Sequence, residues 1–174
     1  MSGLMSALDE LAAEDVAGLG AGDLLDGTAE LLAARNRLDA QIARRVRYAE
    51  CTQAPERDGL KSMKSWLVGH GLLAPAEAER LVRCGRTAER MPAVAAAAAA
   101  GEVTAAKVAE IGKHLTSDRW AAAAAQGHDL AEADAAVALA AATQVHEKVV
   151  GFAARYAAGI DPDGPEPDLS LIHI

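Results

Sequence analysis

The chain has 174 residues, a formal net charge of −8, 43 alanines and only five aromatic residues. That length suits one domain, or one domain with an arm. The acidic total argues against general nucleic-acid affinity, which follows the number of phosphates neutralised, and so few aromatics exclude an extensive base-stacking platform. Alanine is the best helix former, while the residues that favour strands are few. The composition therefore predicts an all-α fold, a multi-helix bundle with one long N-terminal helix (about 23–50) and a series of shorter helices.

From the N-terminus, Leu4, Leu8, Leu11, Ala12 and Val16 recur at helical spacing, and the glycines between Gly18 and Gly22 end that segment. Asp23 can cap the next helix. Leu24, Leu25, Leu31, Leu32, Leu38, Ile42 and Val46 then form one long stripe reaching about Glu50, with Arg35, Arg37, Arg44 and Arg47 on the other side. A helix of that length suits packing against the first helix or against another subunit, so a homo-oligomer through 23–50 is one expectation. Residues 51–60, with Pro55 and Gly59, read as a loop. Ser62 caps a short helix with Met63, Trp66 and Leu67, and Pro75 opens a helix to about Arg90. Pro92 opens an alanine helix closed by Gly101, and Thr104 caps the next. Ser117 or Asp118 starts another, a helix from about Leu130 to Ala142 follows, and Thr143 caps the last. Residues Asp161–Pro165 (DPDGP) are a turn and linker signal, which places the helical domain at 1–160 and a linker at 161–168. Two segments thirty residues apart, Gly71–Ala78 and Gly101–Val108, share one pattern at a helix start; two copies do not make a solenoid.

Charge is unevenly spread. Residues 1–34 hold seven acids and no Lys or Arg, residues 35–90 carry a net of +5, and residues 91–174 a net of −6. Within the basic block, Lys61–Arg90 has the outline of a helix-turn-helix. Arg80, Arg83, Arg86 and Arg90 fall on one side of the second helix, and Lys61 and Lys64 precede it. These five, Lys61, Lys64, Arg80, Arg83 and Arg86, are the DNA-binding candidates, because guanidinium and ammonium groups on an exposed helix suit phosphate contacts. The competing explanation is a solvated face of ordinary ion pairs: Glu79 stands four residues before Arg83, and Glu89 three after Arg86.

No catalytic site is expected. The five histidines have no i, i+4 pair and no HExxH, so neither a metal nor another cofactor is expected. Glu132 with Asp134, and Glu110 with Asp118, are better explained as helix-start acids than as acid/base pairs. Ser62 and Ser65 lack an adjacent base, and Cys51 and Cys84 show neither CxxC spacing nor a disulfide framework, as in a reducing compartment. The N-terminus lacks a signal-peptide pattern and the longest apolar run is far too short for a membrane span, so a cytoplasmic protein without membrane contact is expected.

Several landmarks in order carry a family resemblance: Ser62-Met63-Lys64-Ser65-Trp66-Leu67, Glu77-Ala78-Glu79-Arg80-Leu81-Val82-Arg83, Met91-Pro92, Gly101-Glu102-Val103-Thr104 and Asp161-Pro162-Asp163-Gly164. The chain resembles the actinobacterial domain of unknown function 222 from about Leu4 to Gly164. Ala74 departs from it where a Ser or Thr cap is usual, and Met91 where Leu is usual. The resemblance implies a helical module often followed by an HNH nuclease domain, whose metal-binding and catalytic residues would lie beyond Gly164. On that basis the chain is expected to be a non-catalytic module of an HNH endonuclease-like protein, cut off before its nuclease and orienting or binding DNA. The other expectation is a protein-interaction or dimerisation module without nucleic-acid contact.

The final hexapeptide, Leu169–Ile174 (LSLIHI), turns abruptly aliphatic after a Pro- and Asp-rich linker. The codons CTG TCT CTT ATA CAC ATC encode it and match the transposon mosaic end used to build sequencing libraries. Residues 169–174 are therefore expected to be translated adapter; a native stop codon directly after Ile174 in source DNA would refute this.

Overall fold

A computed structural model describes residues 2–160. The linker and adapter assignments for 161–174 lie outside the described residues. Every regular element among those residues is a helix, and the fold is all-α. The chain divides into two units, one ending at Leu32 and one beginning at Ala33.

The first unit holds α1 (Ser2–Ala12), a 3-10 turn at Val16–Gly18 and the opening turns of α2 (Ala21–Cys51). The first helix ends sooner than its apolar spacing predicts, because Val16 turns into the 3-10 segment. No described residue of this unit is buried. Leu4, Leu8, Leu11, Leu25 and Leu31 are all exposed.

The second unit contains the rest of α2, a 3-10 turn at Ala54–Asp58, and seven helices: α3 (Met63–Gly69), α4 (Pro75–Arg90), α5 (Pro92–Ala100), α6 (Ala105–His114), α7 (Ser117–Ala125), α8 (Leu130–Thr143) and α9 (His146–Ile160). Here α6 packs between α4 and α9, and α5 packs on α8. The main core gathers Met91, Val94, Ile111, Leu115, Val137 and Ile160 with many alanines. Each of the larger side chains contributes about 1.5–3 kcal/mol by burial. A smaller cluster joins Val46 to Met63 and Leu67 of α3 and to Leu81 and Val82 of α4.

The stripe expected along α2 does not become core. Of its seven members only Val46 is buried, while Leu24, Leu25, Leu31, Leu32, Leu38 and Ile42 are exposed. The inward face is instead Asn36, Ala43 and Val46. Small residues win there because α4 approaches closely: a Cβ on Gly85 would lie 2.7 Å from the Ala43 carbonyl oxygen. Asn36 donates Nδ2–H to the Gly101 carbonyl oxygen at 2.9 Å. Gly101 ends α5 in the left-handed region at φ 93°, a conformation glycine adopts without the usual Cβ penalty.

Helix ends follow local chemistry, with two adjustments. Ser62 accepts from the Ser65 amide at 3.1 Å, Thr104 from Lys107 at 3.3 Å, and Asp129 from Ala131 and Glu132 at 2.9 and 3.0 Å. Such caps contribute about 1 kcal/mol each. Thr116, rather than Ser117 or Asp118, caps α7 through the Arg119 amide. Thr143 does not cap α9. It ends α8, its hydroxyl donating to the Leu139 carbonyl oxygen at 2.7 Å, the backward bond that Thr makes inside a helix.

One end is closed from a distance. Pro92 opens α5, leaving the Ala93 and Val94 amides as free first-turn donors, and Met91 offers no side-chain cap. Buried Asp134, in the first half of α8, accepts both, at 2.7 and 3.1 Å. Lys107 of α6 reciprocates at the far end of α8, donating Nζ–H to the Ala141 and Gln144 carbonyl oxygens, each at 2.7 Å.

Candidate nucleic-acid interface

The Lys61–Arg90 segment forms helix, turn and helix, as its spacing predicts. Ser62 caps α3, and the turn to α4 passes through Leu72, which is exposed and left-handed at φ 54°. The Leu73 amide donates to the Leu67 carbonyl oxygen at 3.1 Å, tying the turn to α3. The inward face of α4 is Ala78, Leu81, Val82, Cys84, Gly85 and Thr87. That places Glu79, Arg83, Arg86 and Glu89 on other sides, with Arg86 and Glu89 exposed.

Four of the five candidate cations stand beside carboxylates. Lys64 donates to Glu79 at 2.8 Å, bridging α3 to α4. Arg83 meets the other Glu79 oxygen at 2.9 Å, and Arg80 lies 3.5 Å from Glu77. Arg86 donates to Glu50 at the end of α2. Lys61 is exposed in the segment before α3. Arg90 turns inward: its Nη2–H donates to the Leu115 carbonyl oxygen at 3.1 Å, and burial lowers its pKa.

The spacing forecast a pair between Glu89 and Arg86, and the structure makes a different one. Glu89 accepts from Arg47 of α2 at 2.6 and 2.9 Å, and Arg47 also reaches Glu50 at 2.7 Å. Arg47, Glu50, Arg86 and Glu89 thus form one network across the α2–α4 contact. Hydrogen bonding from Arg86 is the main cause holding the Glu50 carboxyl below its ordinary range; Arg47 adds to it, and partial burial opposes both. A carboxyl whose pKa is depressed by folding stabilises the fold above its unfolded pKa, and the gain is lost as pH falls through the folded value. Glu50→Gln is therefore expected to melt lower than wild type near neutral pH, with the two curves converging as pH drops below the carboxylate range. A constant gap between the two melting temperatures at every pH would show that the network carries no titratable stability.

A groove of about 1120 Å³ runs between the later part of α2, α4 and α5, and alanines line much of it. Cys84 borders it, but burial pushes its thiol up to about 11 and its Sγ donates to the Ala105 carbonyl oxygen at 3.2 Å, so the nucleophilic thiolate is disfavoured. His70 stacks on Trp66 with ring centroids 5.5 Å apart, and burial lowers the pKa of His114. Among the described residues no group of three His, Cys, Asp or Glu side chains is placed to hold a metal. Also among them, no helix is long and apolar enough to cross a membrane.

The sequence has a counterpart among known families: the one described as a domain of unknown function, DUF222, matches residues 25–170. The chain belongs to the DUF222 family. Comparison with curated proteins and with solved structures gives no significant match. Within this DUF222 fold the landmarks of the resemblance take definite positions. Ser62–Leu67 is the capped start of α3, Glu77–Arg83 the first half of α4, and Met91-Pro92 the α4–α5 junction. Gly101–Thr104 closes α5 and caps α6.

Two residues that matter to this fold were not legible as such. Glu50 lies 36 residues from Arg86, and nothing in local spacing signals the pair. Asp134 looked like one more acid in the first half of a helix; only its burial beside α5 marks it as a cap.

Proposed function

We propose that this DUF222 chain is a non-catalytic helical module that acts by associating with protein, in the cytoplasm, and that α3 and α4 are scaffold rather than a DNA reader. The observation that carries the proposal is the exposure of the long aliphatic side chains on its N-terminal helices. Leu4, Leu8 and Leu11 of α1 and Leu24, Leu25, Leu31, Leu32, Leu38 and Ile42 of α2 are exposed, whereas α4 keeps its apolar side inward. Long aliphatic side chains left exposed in such number mark association sites. The cations on α3 and α4 support the same conclusion from the other direction. Lys64, Arg80, Arg83 and Arg86 each face a carboxylate, so phosphate binding there would first have to displace Glu79, Glu77 or Glu50. The resemblance adds that such a module would accompany an HNH nuclease domain; metal-dependent phosphodiester hydrolysis would then belong to that domain.

A salt-titrated DNA-binding measurement tests this. The expected outcome is negligible retention of duplex DNA at physiological salt, unchanged by Arg83→Ala or Arg86→Ala. Affinity that falls steeply with salt and weakens in either variant would overturn the proposal in favour of DNA binding through Lys61, Lys64, Arg80, Arg83 and Arg86.

A further inference from the structure

We infer that the groove between α2, α4 and α5 docks a short extended segment of a partner protein, one that joins an apolar stretch to an acidic side chain. Every residue lining it belongs to the unit that begins at Ala33. The site lies apart from the exposed leucines on which the proposed function rests, and it adds a second contact to the same module. One wall is a single ridge of α2. Asn36, Ala40, Arg44, Tyr48 and Thr52 follow one another every four residues along it, and each lines the groove. Ala88 of α4 and Pro92, Ala95, Ala96 and Ala99 of α5 supply the other wall. Such small side chains leave room for those of another chain, and a volume of about 1120 Å³ is that of a sizeable ligand site.

Two polar groups on that ridge decide the occupant. Asn36 is only 8 % exposed. It spends its Nδ2–H on the Gly101 carbonyl oxygen, and its buried Oδ1 has no hydrogen-bond partner among the described residues. A ligand there has to bring an N–H or O–H donor. Arg44 is exposed, and among the described residues it makes neither an ion pair nor a hydrogen bond, unlike Arg47, Lys64, Arg83 and Arg86. It asks for an anion. The two groups stand about 12 Å apart along the helix at 1.5 Å rise per residue. An extended peptide covers that distance in about three to four residues. It supplies a free backbone N–H for Asn36 and a carboxylate for Arg44, joined by charge-assisted hydrogen bonds. Asp39, which also lines the groove one turn from Asn36, repels the acid from that end. A helical peptide fits less well, because past its first turn the N–H groups are bonded within the helix. A fatty carboxylate satisfies the walls and Arg44 but brings no donor to Asn36. A nucleic-acid strand brings phosphate to Arg44 but sets a polar backbone against alanine walls.

Fluorescence anisotropy of a rhodamine-labelled peptide, Gly-Gly-Ala-Leu-Ala-Val-Ala-Glu amide, titrated with the full chain tests this. The chain carries a net charge of −8, so general attraction does not draw an acidic peptide to it. Saturable binding is expected, weakened about tenfold when glutamine replaces the glutamate. Arg44→Glu should abolish it and turn the preference towards a peptide ending in lysine. Arg35→Glu, the same charge change outside the groove, should bind as wild type. Ala96→Trp should block the groove while helical circular dichroism is retained, Ala96 being exposed. N-methylating the peptide about three to four residues before its glutamate should weaken binding severalfold with the protein unchanged, because it removes the donor that Asn36 accepts. No saturable binding, or binding indifferent to Arg44→Glu or Ala96→Trp, overturns the site. Indifference to N-methylation overturns the part given to Asn36. Displacement by decanoate reassigns the groove to a fatty carboxylate and displacement by duplex DNA to nucleic acid, and either overturns the peptide. Leu38→Asp removes an exposed leucine outside the groove and should leave peptide binding intact, so this site and the leucine surface fail separately.

Discussion

Gly112→Ala should destabilise the fold by about 3 kcal/mol or more, at the upper end of what overpacking costs. Propensity alone forecasts the opposite sign, because Gly to Ala inside a helix ordinarily gains about 0.5–1 kcal/mol. The difference lies in where α6 meets α4. A Cβ on Gly112 would overlap the hydroxyl oxygen of Thr87, and it would stand 3.2 Å from both the Thr87 Cβ and the Arg83 Cγ. Thr87 is fully buried and its hydroxyl donates to the Arg83 carbonyl oxygen at 2.9 Å, so it has nowhere to retreat. The measurement is urea unfolding followed by circular dichroism, comparing midpoints at constant slope. Thr87→Ala in the same chain should recover part of the loss, since it removes the overlapping oxygen. A stabilised Gly112→Ala would mean that α4 and α6 are not packed as described.

Asp134→Ala is expected to cost about 3 kcal/mol, more than an ordinary helix cap. Its carboxylate makes two charge-assisted hydrogen bonds, to the Ala93 and Val94 amides, while only 3 % exposed. Bonds to charged groups contribute about 1.5–3 kcal/mol each, and donors left buried without partners add their own desolvation cost. The same carboxylate holds α8 to α5, so its loss loosens packing as well as a helix end. Asp129→Ala supplies the comparison. It removes two amide contacts of an exposed cap within one helix and should cost about 1 kcal/mol. Asp134→Asn should fall between the two, because an amide offers one acceptor oxygen where the carboxylate offers two. Equal losses for Asp129→Ala and Asp134→Ala would show that the interhelical cap contributes nothing beyond a local one.

The residues that carry the stability effects above and those proposed to carry association are different ones. Gly112, Thr87 and Asp134 belong to the unit beginning at Ala33, where alanine and glycine let helices approach closely. Leu38 and Ile42 of α2 are long aliphatic residues that this packing leaves exposed. Loss of association in Leu38→Asp with an unchanged unfolding midpoint would follow from that division.

By itself the sequence determined what local chemistry determines. Alanine content and the 3.6-residue period made the chain all-α, and Pro75, Pro92, Gly101, Ser62 and Thr104 marked helix ends where the structure has them. It also brought Arg80, Arg83 and Arg86 onto one helix, which raised the question of DNA. Only the tertiary structure decided which faces are inside and which charges are matched. The leucine row on α2 and the row of Asn36 and Ala43 have the same seven-residue spacing, and periodicity alone favours the leucines as core. Close approach of α4 at Gly85 selected the small residues instead. Likewise Glu50 and Asp134 acquired their partners across 36 and about 40 residues of chain. Ion pairs and caps between helices depend on how the helices cross, and nearest-neighbour spacing carries no record of that.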